Sequence, residues 1–172
     1  MLLPSILNKV LTTMTLLKES AIAAIEVGAV APDFTLPDQN GSAVSLSQFR
    51  GKKNVVLFFY PKSFSAGCTA EACAFRDSHE VFKDAGAEVI GISMDSVDTQ
   101  ESFAKRFRLT YTLLSDSDGA LQKLYSIPKW MGLFRGRVTF VIDREGIIRH
   151  IFNSQVMVKD HVSQALETLK SI

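Results

Sequence analysis

The chain has 172 residues, 47% of them apolar and 22% charged, and a formal net charge of +1. That length suffices for one domain with a sizeable core, and so balanced a charge excludes partnership with nucleic acid or an acidic polymer on electrostatic grounds. Two cysteines, Cys68 and Cys73, are too few and too close for a disulfide-stapled secreted scaffold, because so short a loop gains little from a bridge; they read as a reactive pair in a reducing compartment, taken to be the cytoplasm.

Residues 1–26 form an N-terminal extension in which Leu3, Ile6, Leu7, Val10, Leu11, Met14 and Leu17 recur at helical spacing. Pro4, Asn8, Lys9 and Lys18 interrupt this stripe, so it is too short and too broken to span a bilayer. An amphipathic helix docked on the domain or on a partner is one reading, and weak contact of residues 1–20 with a membrane surface is the other. Ala21 and Ala23 resemble a signal cleavage site, yet no clean apolar run precedes them, and a transit peptide would carry arginine before Arg50.

Residues 27–172 read as one α/β domain. Pro32–Leu36 and Ala43–Leu46 are short strands around a turn at Asp38-Gln39-Asn40-Gly41. Asn54–Tyr60 is a continuous apolar run, as a central strand covered on both faces requires. A helix follows over about Ala66–Ala85, then a buried strand over Ala87–Ser93, a helix over about Thr99–Phe107 and a short helix over Ala120–Tyr125. Arg137–Ile142 and Ile147–Phe152 are strands joined by a hairpin turn at Asp143-Arg144-Glu145-Gly146, and Val158–Leu169 is a closing helix. Strand–helix–strand units followed by a hairpin and a helix predict a mixed central sheet flanked by helices.

Chemistry concentrates where the first core strand ends. A loop follows Tyr60, and Cys68 falls in the first turn of the next helix. Strand carboxyl ends gather ligand sites in open α/β sheets, and a helix N-terminus offers free N–H groups and a positive dipole end that stabilise a thiolate. Cys73 lies more than a turn deeper and gains less. Spacing alone leaves open that both cysteines are small buried hydrophobes. His79, His150 and His161 lie far apart and form no metal-ligand pattern.

The flanking residues decide between these readings. Pro61, Ser65 and Cys68 stand in the register Pro-x-x-x-Thr/Ser-x-x-Cys, and Cys73 closes Gly-Cys-Thr-x-Glu-Ala-Cys. This resembles the peroxiredoxin family, and within it the PrxQ or bacterioferritin comigratory protein subfamily. The likeness continues through Ala31-Pro32-Asp33-Phe34, Leu114-Ser115-Asp116 and Arg137–Asp143, and so covers about residues 27–170. It implies a thioredoxin-like fold and thioredoxin-dependent reduction of hydrogen peroxide and organic hydroperoxides, with no metal or organic cofactor and a monomeric state. Cys68 would be the peroxidatic cysteine and pass through a sulfenic acid. Ser65 and Arg137 would bind thiolate and peroxide, Pro61 would shield the sulfur, and Cys73 would close an intramolecular disulfide that a thioredoxin-like dithiol reopens.

Two residues depart from the pattern: Ser65 replaces the commoner threonine, and Ala66 replaces a proline that would pre-organise the first helical turn. Glu71 reads first as a solvated or capping acid, with orientation of Arg137 or the loop as the reading the resemblance adds. Trp130, Met131 and Phe134 read first as core packing, and second as an apolar collar that admits organic hydroperoxides. A general thiol–disulfide oxidoreductase is disfavoured because the pair is Cys-x-x-x-x-Cys rather than Cys-x-x-Cys. A slow redox sensor on the same fold is the rival from another class.

Overall fold

A computed structural model describes residues 24–172, so the docking and membrane readings of the N-terminal extension lie outside the described residues. Two short strands, β1 (Thr35–Pro37) and β2 (Ala43–Ser45), pair antiparallel at the start. The core is a five-stranded mixed sheet of β3 (Asn54–Phe59), β4 (Ala87–Ser93), β5 (Thr112–Ser115), β8 (Val138–Ile142) and β9 (Ile148–Asn153), in the order β5-β4-β3-β8-β9. β3 runs parallel to β4 and antiparallel to β8, so it is the centre on which the two halves meet.

Strand pleating explains why β3 is apolar throughout. Val55, Leu57 and Phe59 enter one core with Ile90, Ile92, Tyr125 and Phe140. Val56, Phe58 and Tyr60 enter a second core on the other face with Phe75, Phe82, Phe103 and Val162. Helices α1 (Ala66–Asp77), α2 (His79–Asp84), α3 (Val97–Phe107) and α5 (Asp160–Leu169) supply the partners of this second core. The short α4 (Ala120–Leu124) covers the first. Gly91 sits opposite Phe58 in the ladder, and a Cβ there would come within 2.7 Å of the Phe58 ring and 2.8 Å of Leu113. Only glycine lets that ring lie across β4.

The expected single helix over Ala66–Ala85 is two helices, broken at Ser78 (φ −100°, ψ 3°). Phe75 and Phe82 explain the break. Seven residues of continuous helix would place them about 10 Å apart along the axis, whereas their ring centroids lie 5.7 Å apart in one core. The edge strand β5 escaped expectation because its four residues, the last three of them buried, show no alternation. So did a hairpin of β6 (Lys129–Trp130) and β7 (Phe134–Arg135), whose strands are too short for a period. Among the described residues no helix is long and apolar enough to cross a membrane.

Candidate active site

The site forms where β3, β8 and α1 converge. Ser65 caps α1 in an extended conformation (φ −67°, ψ 152°), and Cys68 is the third helical residue, 1% exposed, among N–H groups that lack helical acceptors. Arg137 precedes β8, and the antiparallel register that pairs Phe59 with Val138 sets it beside the loop leaving β3. Its Nη2 donates to Cys68 Sγ at 3.4 Å and its Nη1 to Glu71 Oε2. The guanidinium passes so close to α1 that a Cβ at Gly67 would lie 3.0 Å from Nη2.

Glu71 lies one turn after Cys68 and is fully buried. The expectation of a solvated or capping acid is therefore overturned: Glu71 pairs with Arg137 inside the protein. Burial pushes its carboxyl up to about 7, against the pull of the guanidinium. Among the described residues its Oε1 and Arg137 Nε have no hydrogen-bond partner.

Behind this pair stands His161 of α5. Its Nε2 faces the Ser154 carbonyl at 2.8 Å, an acceptor only, so Nε2 carries the proton. Nδ1 then accepts from the Thr139 hydroxyl at 2.8 Å. Burial lowers His161 to about 4 and leaves the ring neutral, so its 3.7 Å approach to Glu71 Oε1 is no ion pair.

The loop between β3 and α1 rests on a second buried network. Gln100 Oε1 accepts from the Tyr60 hydroxyl at 2.5 Å and the Ser63 hydroxyl at 3.2 Å, while its amide donates to Ser93 Oγ and the Leu114 carbonyl. The Ser63 N–H donates to Asp95 Oδ2 at 2.8 Å. Pro61 is half-buried at the head of this loop.

Of the residues expected at the site, Cys68 and Arg137 are in contact. The Ser65 hydroxyl donates to the Lys62 carbonyl at 2.8 Å instead of to the sulfur. Cys73 is half-buried on the same helix, and both thiols are free. Core packing of Trp130, Met131 and Phe134 is overturned: they are 46%, 74% and 52% exposed. Their hairpin turns through left-handed Met131 and Gly132, and its strands pair only with each other, which leaves the side chains nothing to pack under. Thr139 and His161 were not anticipated, and no local pattern marks them. Gln100 was legible in principle, since it shares the apolar face of α3 with Phe103, Ala104 and Phe107.

The AhpC/TSA family model matches residues 27–151. The chain is 45% identical over 156 residues to the chloroplastic peroxiredoxin Q of Sedum lineare, covering 90% of this chain and 83% of that protein. Among solved structures it resembles peroxidoxin BcpB of Mycobacterium tuberculosis, with a TM-score of 0.80 and 38% identity over 87% of this chain and 99% of that one. It also resembles Xanthomonas campestris peroxiredoxin Q, with a TM-score of 0.77 and 29% identity over 88% and 98%.

Proposed function

The chain belongs to the AhpC/TSA family and is a peroxidase of its peroxiredoxin Q group; from that premise we propose that Cys68 reduces hydroperoxides and Cys73 resolves the product. One observation carries the assignment: Cys68 lies in the first turn of α1 with the Arg137 guanidinium 3.4 Å from its sulfur. The positive helix terminus and the cation converge on the sulfur, where charge changes during the reaction.

The thiolate attacks the distal oxygen of ROOH, an S–O bond forms, the O–O bond breaks, and the alkoxide leaves and takes up a proton. Arg137 is shared between sulfur and Glu71, so it faces charge as charge moves from sulfur to the departing oxygen. Ser65 reaches the peroxide after rotation of its hydroxyl away from Lys62, and Pro61 closes the loop side of the pocket. Cys73 thiol then displaces hydroxide from the sulfenic acid, giving a disulfide and water, and a dithiol of the thioredoxin kind reduces it.

Resolution requires movement. Five residues along one α-helix separate two Cα atoms by about 8.5 Å, with side chains roughly 140° apart, whereas a disulfide needs Cα atoms within about 7 Å. Both cysteines lie in α1, so its first turns unwind in each cycle. We place the monomeric enzyme in a thiol-reducing compartment, the cytoplasm being the simplest; the name of the Sedum relative gives it as chloroplastic.

The test is peroxide consumption coupled to thioredoxin and its reductase. Cys68→Ser should abolish turnover. Cys73→Ser should be oxidised at Cys68 without closing a disulfide, and should not cycle, any further peroxide being spent only on over-oxidation of that sulfur. Sustained turnover by Cys68→Ser would move the nucleophile elsewhere.

A further inference from the structure

The loop that carries the site contains one strained residue. Phe64 adopts φ +67°, the left-handed region, which costs a side-chain-bearing residue roughly five- to thirtyfold in a conformational equilibrium. A phenylalanine has no polar group with which to offset that cost locally. What holds it is aromatic contact. Its ring meets Phe103 edge-on at 5.2 Å between centroids and lies tilted on Phe107 at 6.2 Å. Both partners belong to α3, and Phe103 is fully buried.

Among the described residues no other side chain between Ser63 and Cys68 ties the loop to a neighbouring element. The Ser65 hydroxyl turns back onto the Lys62 carbonyl, and Ala66 and Gly67 are too short to reach α3. Upstream, Ser63 is fixed by Asp95 and Gln100. The tip is therefore pinned at Ser63, clasped at Phe64 and then free as far as Cys68. Strain and clasp oppose each other: the left-handed turn favours release of the loop and the ring contacts favour the wound state. Phe64 is itself 48% exposed, so release does not disturb the core.

The geometry points to Phe64 as a positioning residue that sets how fast Cys68 leaves its wound site after oxidation. This rests on the reading that Cys68 and Cys73 must unwind α1 to join. Two fates then compete for the oxidised cysteine. Release lets Cys73 form the disulfide and expel water. Delay lets the sulfenate attack a second hydroperoxide, giving a sulfinate and an alcohol, with a new S–O bond formed as the O–O bond breaks. A tight clasp shifts the partition toward the sulfinate, and a loose one toward the disulfide.

The experiment is rapid-quench mass spectrometry of the full chain with hydrogen peroxide, reading sulfenic acid, disulfide and sulfinate at Cys68. Phe64→Ala removes the ring and keeps the strain, so resolution should accelerate by roughly threefold to tenfold, the worth of one or two aromatic contacts. The sulfinate fraction at excess peroxide should fall in proportion, while the rate constant of the first oxidation stays at the wild-type value. Phe64→Tyr keeps the ring and should restore wild-type partition. Phe64→Gly removes ring and strain together, and because the strain is worth at least as much as the contacts it should resolve more slowly than Phe64→Ala, at about the wild-type rate or below it. Phe64→Ala resolving at or below the wild-type rate, or slowing both steps alike, overturns the clasp. A wild-type protein that forms no Cys68–Cys73 disulfide overturns the clasp and the underlying reading of Cys73 together, whereas a normal disulfide with an unresponsive Phe64→Ala overturns the clasp alone.

Discussion

Glu71 and His161 give the buried site opposite responses to pH, and separate substitutions should expose them. Glu71 is raised from 4.5 to about 7 by burial, so between those values the folded state holds a proton that the unfolded state releases. Its contribution to stability is complete below 4.5 and is lost as pH rises through 7. His161 is lowered from 6.5 to about 4 by burial, so its contribution is complete above 6.5 and is lost as pH falls through 4. From pH 6.5 to 4.5 each contributes a change of about 2 kcal/mol, with opposite sign, and in the wild-type protein the two nearly cancel. Glu71→Gln leaves only the histidine, so relative to wild type it should lose about 2 kcal/mol across that acidification. His161→Gln leaves only the carboxyl and should gain about the same amount. Urea unfolding at several pH values, each variant compared with wild type at the same pH, isolates the two slopes from titrations common to all three proteins. Parallel pH profiles for the two variants would refute the linkage and show that neither group has a displaced titration.

Two further outcomes follow from the site. Arg137→Lys keeps the charge but loses the planar fork that serves Glu71 and Cys68 together, so stopped-flow measurement should show the first oxidation slowed by about tenfold or more; an unchanged rate would remove Arg137 from the reaction. Deletion of residues 1–20, which lie outside the matched family region, should leave peroxide turnover intact and alter only association with vesicles or other subunits; loss of turnover in a folded truncation would make the extension part of the catalytic unit.

The parts of this molecule legible in its sequence are those governed by local rules. Asn54–Phe59 is apolar at every position because both faces of β3 are covered, and a continuous apolar run says so directly. Cys68 was legible through its register with Pro61 and Ser65, and through its place at a helix start. What escaped reading depends on distant partners. Glu71 sits beside polar and small residues and is buried only because Arg137, 66 positions away, turns inward to meet it. The break at Ser78 answers to Phe75 and Phe82, which meet at 5.7 Å in one core from either side of it, and not to any helix-breaking residue. Trp130 and Phe134 have the composition of a core and the location of a surface, since apolar character cannot report whether an element will cover it. The left-handed turn at Phe64 contradicts its own propensity, and such contradictions gather where function demands them.

α1 is built in two halves with different attachments, and the proposed cycle uses the difference. Its C-terminal half is pinned from residue 72 onward. The Tyr111 hydroxyl donates to the Ala72 carbonyl at 2.7 Å, Phe75 stacks on Phe58, and Arg76 Nη1 donates to the Phe107 carbonyl at 2.7 Å. Cys73 therefore sits on the side that stays wound. Among the described residues the N-terminal half has no such pins: Ala66 and Ala70 are exposed, and its buried polar attachments are Cys68 and Glu71, both through Arg137. The Cys68 attachment is strongest while the sulfur is charged, because a guanidinium–anion hydrogen bond is roughly twice as strong as a neutral one. Oxidation takes that charge off the sulfur: a sulfenic acid carries none, and a sulfenate carries it on the added oxygen. The step that creates the need for Cys68 to move also weakens the bond that held it, and the Tyr111–Ala72 contact stops the unwinding one residue short of the cysteine that waits for it.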